Sequence, residues 1–112
     1  MKTENAKAQM RKGVLEMCIL SVISNEEVYT SDIIERLKES ELIVVEGTLY
    51  PMLTRLKNAG LLEYTWKESA SGPPRKYFKI TDEGLVFLED LRTSWKELVE
   101  SVDKVTIKKN EQ

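Results

Sequence analysis

The chain has 112 residues, of which 41% are hydrophobic and 32% are charged, and its formal net charge is −2. These values are typical of one soluble globular domain. The chain contains no histidine and one cysteine, Cys18. This composition excludes an internal disulfide, a zinc site built from several cysteines and histidines, and a nucleophile activated by histidine, so we expect no metal and no cofactor. No apolar run exceeds four residues and residues 1–9 are polar, so we expect a cytoplasmic protein without a membrane span or signal peptide.

The charged residues are segregated along the chain. Residues 1–13, 47–60 and 67–81 carry net charges of +3, +2 and +3, whereas residues 14–46 and 82–103 carry −6 and −5. A surface that binds an anion must be built from the three basic segments, although ordinary mixing of surface charge would give a similar pattern. The first segment either follows a nucleic-acid backbone or stays in solvent. Its basic residues are Lys2, Lys7, Arg11 and Lys12.

The first periodic segment runs from about Ala6 to Ser24 and predicts one long helix. Its apolar residues recur every three or four positions, the spacing of one helix face. They are Val14, Leu15, Cys18, Ile19, Val22 and Ile23. Met10, Met17 and Leu20 fall on another side. A helix that is apolar on two sides needs two neighbours, so we expect it to contact its own core and a second subunit.

A short extended piece and a second helix follow. Residues 28–29 are expected to be extended, and Thr30 or Ser31 is expected to cap the helix. Asp32 would lie in the first turn, where the helix dipole favours a negative charge. This helix should end near Ser40.

After a loop at residues 42–45, a third helix is expected from Glu46 to Ala59. Gly60 lies where a helix commonly ends in the left-handed conformation. Pro51 is unusual because proline is best tolerated in the first turn, so either the helix begins later or its first turn is irregular. The residues expected to point inward are Leu49, Met52, Leu53 and Leu56.

Two strands and a last helix complete the chain. Side chains alternate from Leu62 to Lys67 and from Arg75 to Ile80, which predicts a hairpin whose long tip is formed by residues 68–74. Thr81 is expected to cap a helix that continues to about Val105. The apolar residues of this helix alternate at spacings of three and four, which is typical of a seam between two helices. We therefore predict a dimer interface formed by Leu88, Leu91, Trp95, Leu98, Val102 and Val105, with Val14 from the first helix.

This order of elements predicts a mainly α (α+β) fold, a winged helix-turn-helix with a two-stranded wing and a long C-terminal dimerisation helix. The expected DNA-binding domain comprises residues 1–81, of which residues 1–9 form a flexible arm. The dimerisation helix comprises residues 82–108, and residues 109–112 form a disordered tail. In this architecture the third helix enters the major groove of double-stranded DNA and the wing contacts the backbone or the minor groove. Two basic segments fall on those elements, and the acidic segment at residues 82–103 falls on the helix that faces away from DNA.

Two motifs carry a resemblance to a known family. Residues 46–56 resemble the GTLYP-x-L-x-R-L core of the PadR-type transcriptional regulators, and residues 72–81 resemble the wing of that family. The length and the single terminal helix resemble the short subfamily. Where the family carries Gly-Tyr-Glu-Ile at the start of the second helix, this chain has Thr-Ser-Asp-Ile at residues 30–33. The small and aromatic positions therefore differ, which leaves DNA contacts from residues 30–32 open.

The resemblance implies a homodimeric repressor that binds an inverted-repeat operator and controls efflux, stress or detoxification genes. For several DNA contacts a second interpretation remains open: Tyr50 could pack under the wing, Pro51 could be structural, and Arg55 could form an internal ion pair. We expect Arg75 to be the strongest contact, because arginine is attracted to narrow minor grooves. The expected contacts are Thr48, Tyr50, Pro51, Arg55, Lys57, Pro73, Arg75, Lys76 and Lys79.

Some members of the family release DNA when an aromatic or drug-like ligand binds. A corresponding pocket in this chain would be lined by Trp95, Met10, Val14 and Val99, although Trp95 could equally be plain interface core. Glu16 either faces the same space and selects cationic ligands or lies in water. The alternative function is a winged helix that docks a protein instead of DNA. We expect no enzyme activity, because the chain lacks a glycine-rich phosphate loop and a credible pair of catalytic carboxylates.

Overall fold

The computed structural model describes residues 2–107, and its elements follow the order expected of a winged helix-turn-helix. Five helices and a small antiparallel sheet confirm the predicted mainly α class. No helix within residues 2–107 combines the length and the apolar character needed to cross a membrane. The elements are α1 (Thr3–Lys12), α2 (Leu15–Asn25), β1 (Val28–Tyr29), α3 (Thr30–Glu39), α4 (Glu46–Asn58), β2 (Leu62–Ser69), β3 (Gly72–Ile80) and α5 (Asp82–Thr106).

The segment predicted as one helix from Ala6 to Ser24 is two helices. The break lies at Gly13 and Val14, and the Val14 N–H donates to the Arg11 carbonyl at 3.0 Å. Glycine is the weakest helix former after proline, which explains why the long helix is interrupted here. Residues 3–9, which the sequence assigns to a flexible arm, belong to the helix α1. Because α1 buries no residue within the chain, its apolar side chains are free to contact another surface.

The hydrophobic core lies between α2, α3, α4 and the sheet, and α5 contributes to it only near its start. The four inward positions predicted for the third helix are confirmed as buried. Leu88 is 2% exposed in this core and Leu91 packs against it, so the prediction that Leu88 belongs to a dimer seam is wrong. The core residues are Leu15, Ile19, Leu20, Ile23, Val28, Ile33, Leu37, Val44, Leu49, Met52, Leu53, Leu56, Leu62, Phe78 and Leu88.

The cap of α3 lies one residue before the first of its two predicted positions. Tyr29 occupies the capping position, and its N–H donates to the Asp32 carboxylate at 3.1 Å. Thr30 is inside the helix and buried, so neither Thr30 nor Ser31 is the cap. Asp32 lies in the first turn as predicted. Its carboxylate accepts from the Tyr29 N–H, which has no backbone acceptor within the helix.

The helix α4 runs through Pro51 and ends as predicted. It begins at Glu46, and Pro51 lies in the second turn, where it has no N–H to donate to the Gly47 carbonyl. The alternative that the helix begins later than Glu46 is therefore wrong. Gly60 has a φ of 80°, the left-handed conformation predicted for this position.

The hairpin of β2 and β3 has a much shorter tip than the sequence predicts. The strands pair from Leu62 opposite Ile80 to Ser69 opposite Gly72, so the turn consists of residues 70–71 instead of residues 68–74. Between these ends the ladder has an irregularity at which Glu68 faces two prolines, Pro73 and Pro74. A bulge accommodates residues that donate no backbone hydrogen bond, which lets this turn-like composition remain in a strand. β1 adds a third strand beside β3, giving the order β1-β3-β2.

The helix α5 is fixed to the rest of the chain at its first turn. The Thr81 hydroxyl accepts from the Gly84 N–H at 3.0 Å, which confirms the predicted cap, and donates to the Gly60 carbonyl at 2.7 Å. From there α5 extends to Thr106. Residue 108 of the predicted dimerisation helix and the predicted tail at residues 109–112 lie outside the described residues.

Candidate nucleic-acid interface and α5 groove

The exposed side of α4 presents three rows of residues. Successive residues of an α-helix are about 100° apart, so Thr48 and Arg55 share one flank while Tyr50 and Lys57 share the opposite flank. Both flanks border the buried row of α4. Arg55 and Lys57, both predicted as DNA contacts, therefore face different neighbours. The outermost row consists of Pro51, Thr54 and Asn58, all exposed.

The wing places its basic residues on both faces of the hairpin. Phe78 is buried, so Lys76, two residues away on β3, lies on the same face, which is turned towards α4. Arg75 and Lys79 lie on the opposite face. Arg75 lies above the ring of Tyr29 at 4.7 Å, and Lys79 is opposite Glu63 in the strand register.

Lysines of α4 and of the wing converge on one aromatic ring. The Lys76 ammonium is 4.3 Å from the centroid of the Tyr64 ring and 5.3 Å from that of Trp66. The Lys57 ammonium approaches the same Tyr64 ring at 5.6 Å. Aromatic rings attract cations through their quadrupole, so Tyr64 brings together two charges that belong to different elements. Two of the three basic segments of the sequence thus meet at one place.

Two adjoining clefts separate α4 from the wing. The smaller cleft, of about 210 Å³, lies over Tyr64, and the larger, of about 440 Å³, lies towards the wing tip. Tyr50 and Lys76 line both clefts, so the two form one continuous depression. We call it the α4–wing cleft. The predicted contacts that line it are Tyr50, Lys57, Pro73, Arg75 and Lys76.

The remaining predicted contacts lie outside the α4–wing cleft. Thr48 and Pro51 are exposed on other rows of α4, and Lys79 lies on the outer face of the wing. Arg55 forms an ion pair with Glu16 of α2, the arrangement that the sequence left as an alternative. Thus Lys57 and Lys76 converge on Tyr64, and Arg75 lines the same cleft nearer the wing tip.

A second candidate site lies along α5. From Trp95 onwards the seam residues are exposed, and Val105 is 85% exposed. Met10, Val14, Trp95 and Val99, the four residues predicted to form an effector pocket, line one open groove of about 470 Å³. We call it the α1–α5 groove. Its other lining residues are Gly13, Leu98, Val102 and Asp103.

A narrower cavity beside this groove contains Glu16. It measures about 180 Å³ and includes Val14 and Trp95, which also line the α1–α5 groove. The side chain of Glu16 is 29% exposed, so it is neither fully solvated nor fully buried. Within residues 2–107 no group of three or more acidic or cysteine side chains could hold a metal ion.

Comparison with known proteins identifies the family of this chain. A family model described as the transcriptional regulator PadR-like family matches residues 19–90, which is more than half of the chain. The chain belongs to the PadR-like family of transcriptional regulators. The resemblance inferred from the α4 and wing motifs is confirmed. PadR-like proteins regulate transcription and are not enzymes.

Solved structures of PadR-like proteins share this fold. A PadR-like transcription factor from Bacteroides fragilis is 60% identical, with a TM-score of 0.76, and the match covers 91% of this chain and 99% of that one. A PadR-like regulator from Bacillus cereus is 43% identical, with a TM-score of 0.77 and coverages of 90% and 99%. The PadR protein of Bacillus subtilis, solved in complex with operator DNA, is 25% identical, with a TM-score of 0.65 and coverages of 70% and 46%.

The structure of this PadR-like chain adds site residues that the sequence analysis missed. Tyr29 and Trp66 line the larger cleft, and Thr54 and Asn58 line the smaller one. The exposed row of α4 follows from its four buried positions, so Thr54 and Asn58 could have been found by helical spacing alone. Tyr29 could not, because its position beside Arg75 depends on the pairing of β1 with β3.

Proposed function

We propose that this PadR-like chain is a homodimeric, sequence-specific repressor that binds double-stranded DNA through α4 and the wing, on the two sides of the α4–wing cleft. The convergence of Lys57 and Lys76 on Tyr64 carries the proposal, because it joins the recognition helix and the wing into one cationic surface. Phosphate groups are attracted to such a surface whatever the base sequence. The Bacillus subtilis relative, solved with operator DNA, supports this assignment.

The residues around the cleft divide into those that bind the backbone and those that meet bases. Lys57 and Lys76 neutralise phosphates, and the Tyr50 hydroxyl is placed to donate to one. On α4, Thr48 and Pro51 are exposed near the helix N-terminus, the part of a recognition helix that meets base edges. Pro73 stiffens the wing tip beside Arg75, which enters the minor groove. Lys79 follows the same backbone from the outer face of the wing.

The dimer is formed through α5. Trp95, Leu98 and Val102 are large apolar side chains left exposed on one side of this helix, and Leu91 lies half-buried at the start of the stripe. A second copy covers this stripe and the apolar side of α1. Two-fold symmetry then places two recognition helices on an inverted repeat, with half-sites about 34 Å apart or a multiple of that spacing.

The α1–α5 groove is proposed as an effector site. Its volume of about 470 Å³ lies in the range of small-molecule pockets, and Trp95 offers a flat surface on which an aromatic or drug-like ligand can stack. A ligand that alters the packing of α5 against its partner would release the operator. Regulated efflux, stress or detoxification genes are consistent with such a ligand.

Fluorescence anisotropy with the DNA upstream of the chain's own gene tests the proposal. We expect tight binding that prefers this fragment over a scrambled one and weakens steeply between about 50 and 200 mM salt. Equal, salt-insensitive binding to both fragments would contradict DNA recognition and favour a protein-docking winged helix. Sedimentation of the same sample gives the mass of the free protein, which should be that of two chains.

A further inference from the structure

We propose that Arg55 does not bind DNA phosphate, and that Glu16 holds it as a positioning residue for the recognition helix. The inference rests on the proposed DNA-binding function of α4. It changes the assignment of the arginine in the GTLYP-type motif of this chain. In this assignment Arg55 adds no positive charge to the DNA interface, because the Glu16 carboxylate neutralises it.

The geometry separates Arg55 from the cationic cluster. Arg55 lies on the flank of α4 opposite to Lys57, and its guanidinium pairs with the Glu16 carboxylate of α2. The α4–wing cleft is lined by Lys57 but not by Arg55. Arg55 thus lies outside the cleft that contains Lys57, and its ion pair with Glu16, rather than its flank alone, is what would hold it away from a phosphate.

The local electrostatics favour the ion pair over a phosphate contact. Glu16 lies in the first turn of α2 and Arg55 in the last turn of α4, and each charge is stabilised by the dipole of its own helix. The Glu16 side chain is 29% exposed, and among the ion pairs of residues 2–107 it has no other cation. If Arg55 moved to a phosphate, a carboxylate that is mostly removed from water would lose its counter-charge.

The pair also connects the recognition helix to the helix that carries the dimer seam. α2 contacts α5 through the Arg92 side chain, which donates to the Ser21 hydroxyl at 2.5 Å. Glu16 shares its cavity with Leu91 and Trp95 of α5. Arg55 therefore fixes α4 to the element against which α5 is seated, and the orientation of α4 relative to the dimer axis depends on it.

The test is the salt dependence of operator binding in single and double variants. Each phosphate contact contributes about one unit to the slope of log K against log salt, or about a threefold loss of affinity between 50 and 200 mM. We expect Lys57→Gln to reduce the slope by about one unit and Arg55→Gln to leave it unchanged. Glu16→Gln frees Arg55 and should make the slope steeper by about one unit. This gain should disappear in the Glu16→Gln/Arg55→Gln variant.

A matched control separates the release of Arg55 from the simple loss of a negative charge. Glu46→Gln removes one charge from the exposed first turn of α4 without affecting any ion pair of residues 2–107. Arg55→Lys keeps the pair and should retain the wild-type slope. If Arg55→Gln does not fold, as judged by circular dichroism, the comparison of Glu16→Gln with Glu46→Gln decides: a steeper slope in Glu16→Gln alone supports the proposal, and equal slopes overturn it.

Two further results would overturn the inference. A slope that falls by about one unit in Arg55→Gln would show that Arg55 binds phosphate. A Glu16→Gln gain that persists without Arg55 would show that only the net charge matters. Failure of the proposed function has a different signature, since Lys57→Gln and Lys76→Gln would then also leave the slope unchanged.

Discussion

Gly84 lies where α5 passes closest to the chain that enters β2. A Cβ at this position would overlap the Leu61 carbonyl oxygen and lie 2.6 Å from a side-chain carbon of Ile80. Since one of these neighbours is backbone, the contact cannot be relieved by a rotamer change. Gly84→Ala should therefore destabilise the protein by about 2 kcal/mol in urea unfolding, the cost typical of overpacking. Gly47→Ala is the matched control, because its Cβ would meet nothing within 4 Å and alanine favours the helix, so no loss of stability is expected.

Lys76 and Lys79 are both basic residues of β3, but they lie on opposite faces of the wing. Lys76 faces α4 above Tyr64, whereas Lys79 is opposite Glu63 on the other face. Lys76→Gln should reduce the salt slope of operator binding by about one unit, and Lys79→Gln should have a smaller effect. Anisotropy titrations of the two variants at several salt concentrations measure the difference. Equal effects would mean that Lys79 contributes as much to phosphate binding as Lys76.

At the scale of elements, local signals predicted what depends on local chemistry. Thr81 was identified as a cap and Gly60 as a left-handed stop because each effect operates within a few residues. The break between α1 and α2 was missed, because the apolar period continues across Gly13 and masks its low helix propensity. The tip of the wing was predicted too long, since the bulge that accommodates Pro73 and Pro74 depends on the partner strand.

The spacing of the apolar residues of α5 could not predict which of them are buried in the chain's own core and which are exposed. Leu88 and Leu98 both belong to the 3-4 pattern, yet Leu88 is in the core of its own chain and Leu98 is exposed. The pattern specifies which side of a helix is apolar, whereas the tertiary fold decides which chain covers each turn. Four residues of the α1–α5 groove were predictable from the sequence. Gly13 and Asp103 were not, because they line the groove only through the way α1 lies beside α5 in the fold.

The exposed part of the α5 stripe predicts a dimer that can be broken without unfolding the chain. Leu98→Asp with Val102→Asp places two charges in the proposed interface, while the core residues of α5, Gly84 and Leu88, are untouched. We expect a monomer of one chain mass in sedimentation at micromolar concentration, with unchanged circular dichroism. Thr93→Asp adds a charge to an exposed position on another side of α5 and should leave the dimer intact. A dimer that survives the double substitution would contradict the interface.

For the whole molecule, the separation of charge matters more than its sum. The net charge of −2 conceals a cationic surface between α4 and the wing, and the acidic residues of the segment at 82–103 lie on α5, the helix that carries the proposed dimer seam. DNA repels the acidic part and attracts the basic part, so the charge distribution orients the molecule before any base is read. The same separation keeps α5 away from DNA, where it remains available to a second copy.

If binding in the α1–α5 groove is coupled to binding of the operator, the coupling must act equally in both directions. If an aromatic ligand lowers operator affinity by some factor, operator DNA must lower the affinity for that ligand by the same factor. Tryptophan quenching by a flat aromatic dye measures the affinity for the ligand with and without operator. Operator anisotropy with and without the dye measures the affinity for DNA. Trp95→Ala should abolish dye binding, whereas Trp66→Phe, which alters only the wing, should retain it. Dye binding that is equally tight with and without operator would show that the groove binds ligands but does not control DNA release, since a ligand with equal affinity for two states shifts neither.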